Sequence, residues 1–80
     1  MQLLLQLDTT DFDGWKADWD TESSERMEAG ITQLQMWRDA DSRTRVLVLL
    51  QANRRAAAEA WLRKERGFGG PMTATFLDLA

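Results

Sequence analysis

Val46-Leu47-Val48-Leu49-Leu50 is a run of apolar residues with no alternation. A strand with one wet face alternates apolar and polar side chains, whereas an unbroken run belongs to a strand apolar on both faces. The shortness of the run and its two valines favour a strand, Thr44 to Ala52, over a buried helical segment. A second segment of the same kind, Gln2 to Leu7, carries Leu3, Leu4, Leu5 and Leu7. The chain has 80 residues, and a domain that small buries only about 60% of its unfolded surface. Such domains are commonly helped by disulfides, a metal or oligomerisation. There is no Cys and no His, which excludes disulfides and thiolate sites and removes the commonest metal ligand. No metal site and no cofactor are expected, and self-association is the helper that remains.

The intervening segments supply helices. Thr10 followed by Asp13 fits a variant of the capping box, and Phe12, Trp15 and Trp19, with Met27 more loosely, form an apolar stripe at helical spacing. This predicts one helix from about residue 11 to 29, stopped by Gly30. Ile31 to Arg38 reads as a strand with Leu34 and Met36 on one face, Ile31 and Trp37 on the other. Asp39 to Arg43 is a polar turn. Asn53 is the expected N-cap of a second helix, Arg54 to Arg66, with Ala57, Ala58, Trp61 and Leu62 inward. Gly67 to Pro71 breaks that helix, and Met72 to Leu79 closes the chain as a strand.

Strand, helix, strand, strand, helix, strand is the split βαβ or ferredoxin-like plan. It predicts a single α+β domain over residues 1–80, with a four-stranded antiparallel sheet, strands one and three central, and both helices on one face. The other face would expose a large apolar patch, so a homodimer paired sheet to sheet about a two-fold axis is expected. Leu4, Trp37, Val46, Leu47 and Val48 are the candidate interface residues. Neighbours on a strand point oppositely, so of Leu47 and Val48 one is expected on the helix side and the other on the partner side. Trp37 can take either face, because a one-residue slip inverts a strand.

Several stretches resemble the dimeric α+β barrel proteins grouped around the antibiotic-biosynthesis monooxygenase-like fold. They are Asp11-Phe12-Asp13-Gly14-Trp15-Lys16, Arg26 placed four residues before Gly30-Ile31, the turn Arg38-Asp39-Ala40-Asp41, and the pair Trp61-Leu62. The resemblance implies a small homodimer in a superfamily of mixed activity, including cofactor-free oxygenases, haem proteins and isomerase-like members. Without His or Tyr, this chain lacks the haem ligand and the phenol that some of those relatives use.

Four tryptophans are either core, the commoner fate of large aromatics, or the walls of an apolar pocket. The pocket candidates are Trp15, Trp19, Trp37 and Trp61, with Arg38, Asn53 and Arg26 as polar groups. No catalytic residue is assigned. Residues 11–29 carry seven acidic and two basic side chains, residues 54–66 five basic and two acidic; these read as solvated faces, with Arg63, Lys64 and Arg66 the best site for an acidic partner. Asp18 and Glu22, four apart, read as surface charge.

Gly67, Gly69 and Gly70 follow a helix and precede a strand, the reverse of a phosphate loop. Leu and Val on strands one and three argue against RNA recognition, which stacks bases on aromatics there. A paired-cysteine metal loop is absent, and the acidic first loop opposes an acylphosphatase-like phosphate site. The net charge of −3 and the lack of a basic cluster indicate no nucleic-acid partner. The apolar runs are too short for a membrane span, and a cytoplasmic location is the default. Two functions remain: a homodimer binding an apolar or aromatic small molecule, with a cofactor-free oxygenase or isomerase as its catalytic form, and a non-catalytic dimeric module whose core its own tryptophans fill.

Overall fold

A computed structural model describes residues 1–65 and 71–80. The elements run β1 (Gln2–Asp8), α1 (Phe12–Thr21), α2 (Ser23–Glu28), β2 (Ile31–Arg38), β3 (Arg45–Ala52), α3 (Arg55–Lys64) and β4 (Met72–Leu77). The four strands form one antiparallel sheet in the order β2-β3-β1-β4. The two leucine- and valine-rich strands are therefore central. The expected breaker residues Gly67 to Gly70 and the helical end at Arg66 lie outside the described residues.

Alternation along the strands divides the side chains between two unlike faces. Leu3, Leu5 and Leu7 of β1 and Val46, Val48, Leu50 and Ala52 of β3 are buried together with Trp19 of α1 and Ala58, Trp61 and Leu62 of α3. The helices thus cover this face. The molecule measures 31 × 30 × 21 Å, and its shortest dimension has room for one helix layer on one sheet. On the opposite face Leu4, Leu47 and Leu49 are only partly buried. Val46 and Val48, expected at the dimer face, lie instead in the core at 1% and 0% exposure. Leu47 lies on the outer face and Val48 on the inner one, a choice the unbroken apolar run hides because it holds no alternation from which the inward register could be read.

β2 corrects a second expectation. Gln33 pairs with Leu50 and Gln35 with Leu49, leaving Leu34 as an extra residue in the ladder. The resulting bulge changes the parity of the strand. Ile31, opposite Ala52, and Met36, opposite Val48, both face the helices, while Trp37, opposite Leu47, faces away and is 45% exposed. Ile31 and Trp37 do not share a face as an uninterrupted strand would require.

The first helical segment is two helices. Glu22 sits at φ −97°, ψ 14° between them. Its N–H bonds the Trp19 carbonyl at 3.2 Å, and the Thr21 hydroxyl takes the Asp18 carbonyl at 2.7 Å. Thr21, Ser23 and Ser24 all have side chains that compete for backbone partners. The break turns α2 so that Arg26, 6% exposed, faces inward while Met27 is 77% exposed. Met27 therefore does not continue the apolar stripe. The N-cap of α1 is Asp11 rather than Thr10, its carboxylate accepting from the Gly14 N–H at 3.1 Å. α2 ends as expected at Gly30, whose φ of +73° suits only a residue without Cβ. The N-cap of α3 is Arg54, with no side-chain capping bond, not Asn53.

Candidate functional site

The aromatic residues of α1 build the most organised side-chain group in the molecule. Phe12, Trp15 and Trp19 recur at spacings of three and four, which stacks them along one side of the helix. The Phe12 and Trp15 rings lie 6.0 Å apart, and Trp15 stacks on Trp19 at 5.4 Å and 25°. Trp61 of α3 meets Trp19 edge-on at 6.1 Å and 77°. Each end of the row carries an arginine: Arg26 lies 3.9 Å over Trp19 and Arg38 4.6 Å over Phe12. These are cation–π distances.

Trp19 is the joint of this assembly. Its indole N–H donates to the Gln33 side-chain oxygen at 2.8 Å. Arg26 Nη1 donates to the Trp19 carbonyl at 2.7 Å, so one guanidinium both covers the ring and supplies a donor for a carbonyl at the end of α1. Burial pushes the Arg26 pKa down from its ordinary value, and Glu65, Glu22 and Asp20 oppose that shift. Glu65 responds in the other direction. Burial raises its carboxyl above the ordinary range, Glu22 and Glu25 add to the rise, and Arg26 partly offsets it.

Beside the row opens a cleft of ≈ 300 Å³ lined by Trp15, Trp19, Met72, Asp18, Glu22 and Glu65. Indole, thioether and carboxylate side chains line it together. A second, wider groove of ≈ 470 Å³ lies between α2 and α3 over Ala29, Ala57, Ala60 and Trp61. Trp61 Nε1 is buried without an acceptor among the described residues, a local cost of about 1–3 kcal/mol. The described residues hold no cluster of three His, Cys, Asp or Glu side chains arranged for a metal.

The expected pocket residues converge only in part. Trp15, Trp19 and Trp61 come together as packed rings, with Trp15 and Trp19 at the cleft and Trp61 at the groove. Trp37 is on the opposite sheet face, where it sits across from Leu47. Arg38 belongs to the far end of the row, against Phe12. Asn53 packs beside Gly30 and bonds the Gly30 carbonyl through its backbone N–H at 3.0 Å. Asp18, exposed, and Glu22, half-buried, keep the surface setting expected of them and meet Glu65 at the cleft. Their i,i+4 spacing is legible in the sequence; the approach of Glu65 from the end of α3 is not. No helix among the described residues is long and apolar enough to cross a membrane. Comparison of the chain with protein-family models, curated proteins and solved structures finds no match.

Proposed function

We propose that the chain works as a homodimeric association module on a ferredoxin-like plan, joined through the sheet face opposite its helices, with its tryptophans serving as core. The carrying observation is the chemistry of that face. Its interior takes three positions from each strand: Gln2, Leu4 and Gln6; Thr32, Gln35 and Trp37; Leu47, Leu49 and Gln51; Thr73, Thr75 and Leu77. None is charged, although 29% of the whole chain is. Depletion of charge around an aromatic and aliphatic centre is the compositional mark of an interface core. Asp8 and Arg45, opposite each other in register, stand at its rim.

Size favours a second copy over a small ligand. Four strands at about 4.8 Å spacing and six residues at about 3.3 Å rise give a face of about 20 by 20 Å. A specific interface takes about 800 Å² from each partner, roughly a seventh of this chain's 5462 Å². The flat area of this face, about 400 Å², falls below that value, so the whole face is used and the dimer is of the smaller kind. A two-fold axis brings Leu4, Leu47, Leu49 and Trp37 against their equivalents. The antibiotic-biosynthesis monooxygenase-like resemblance implies the same pairing.

The filled interior supports the non-catalytic reading over an apolar pocket. Trp19 and Trp61 occupy the space between helices and sheet, at 3% and 5% exposure. Sedimentation velocity from about 1 to 100 μM tests the proposal. A shift from monomer to dimer that Leu47→Asp abolishes, with the helical circular dichroism intact, is the expected result. A wild-type chain monomeric throughout that range would refute it.

A further inference from the structure

We infer that the outer edge of β4 pairs antiparallel with β4 of a second copy, joining two four-stranded sheets into one of eight strands. β4 is the outer strand on one side of the order β2-β3-β1-β4, and the hydrogen-bond pattern fixes which of its backbone groups turn outward. The Asp8 N–H donates to the Pro71 carbonyl at 3.3 Å, in line with the register that sets Leu7 opposite Met72. Antiparallel neighbours alternate between hydrogen-bonded and non-hydrogen-bonded pairs. Gln6–Thr73, Leu4–Thr75 and Gln2–Leu77 are therefore the bonded pairs, and Met72, Ala74 and Phe76 direct their N–H and C=O groups away from β1.

These three residues are spaced to match a copy of themselves. A two-fold axis through Ala74, normal to the sheet, sets Ala74 opposite its own equivalent and Met72 opposite the equivalent of Phe76, so about six backbone hydrogen bonds form. Thr73 then meets the equivalent of Thr75 on the open face, a favourable cross-strand pair. Met72–Leu77 carries no charged side chain, and its ladder with β1 runs without a shift of register. The other outer strand, β2, has the bulge at Leu34 and ends on Arg38, features that keep strand edges apart.

Area and symmetry favour the same arrangement. An axis normal to the sheet keeps all helices on one side, so two open faces of about 400 Å² become one of about 800 Å², the amount a specific interface takes from each partner. Face pairing turns about an axis lying between the sheets, at right angles to the first, and perpendicular two-fold axes close a tetramer. That closure rests on the face pairing proposed above; the edge contact does not. A face-paired dimer presents two edges, so when two dimers meet both edge contacts form together and each strengthens the other.

Sedimentation velocity carried on to about 1 mM tests the inference, since a weaker contact fills at higher concentration. Wild-type chain should pass from dimer to tetramer, and Ala74→Pro should stop at the dimer. Proline removes only an outward N–H there, which an edge strand tolerates. Ala74→Lys, which sets two like charges across the axis, should also stop at the dimer. Amide hydrogen exchange at about 1 mM reads the edge itself: Met72 and Phe76 should exchange at least about tenfold more slowly in wild-type chain than in Ala74→Lys. Thr73 and Thr75, bonded to β1, should stay protected in both and so report an intact sheet. A wild-type chain that stops at the dimer, a tetramer that survives Ala74→Pro, or equal protection of Met72 and Phe76 in both chains would each overturn the inference and leave the face pairing in place. A dimer that Ala74→Pro abolishes and Leu47→Asp preserves would instead keep the edge contact and refute the face pairing.

Discussion

Arg26 does the work of three ordinary groups. It covers the Trp19 ring, satisfies the Trp19 carbonyl and balances part of the charge on Glu65. Arg26→Met keeps the apolar stem but leaves the carbonyl short of its charged donor, and should cost about 1.5–3 kcal/mol in urea unfolding. Lysine is a poor substitute, having no planar group to lie on the indole. The sequence offers Arg26 only as a polar candidate for a pocket, not as a packed residue, since an arginine in a charged segment is usually solvated; the turn at Glu22 brings it inward. Glu65 carries the matching pH effect. Its folded pKa is raised, so its contribution to stability is complete below the ordinary glutamate value and is lost as pH rises through the folded value. Wild-type chain should therefore lose stability across that window, and Glu65→Gln should flatten the loss and melt higher at neutral pH. Thermal unfolding at a series of pH values reads both effects.

At the level of elements, the strongest signals concern what each segment is, and the errors concern how it is turned. The non-alternating run does mark a central strand, and Gly30 does stop a helix at positive φ. The bulge at Leu34 was invisible because Ile31 to Arg38 carries no alternation strong enough to expose a change of parity. That bulge has a testable property. Gln33 and Gln35 already face consecutive residues, Leu50 and Leu49, so removing Leu34 closes the ladder without moving any other side chain to the opposite face. The deletion should fold, with stability within about 1 kcal/mol of the original. Chemical-shift mapping that showed Trp37 transferred to the helix side would contradict it. Capping gives a second contrast. Asp11→Ala should cost about 1 kcal/mol, while Thr10→Ala, at an exposed position outside the cap, should change stability by less than about 0.5 kcal/mol.

For the whole molecule, the sheet divides the chain into a side covered by helices and a side left open. Val48 is fully buried and Leu47 partly exposed, although they are neighbours. Val48→Asp places an unpaired charge in the core and should cost about 3–5 kcal/mol, comparable to the total stability of a domain this small. Leu47→Asp should leave the chain folded. Denaturant curves on both variants provide the check, and two equally stable variants would mean the faces were misassigned. The same division separates the tryptophans. Trp15, Trp19 and Trp61 lie within 6.1 Å of a ring neighbour, while Trp37, on the opposite sheet face, has none among the described residues. The packed rings are close enough to couple electronically, giving a strong signed near-ultraviolet band, and in the dissociated chain Trp37 should emit at longer wavelength, moving to shorter wavelength on association. A single unlabelled chain thus has two optical channels, one for the integrity of its core and one for whatever covers its open face.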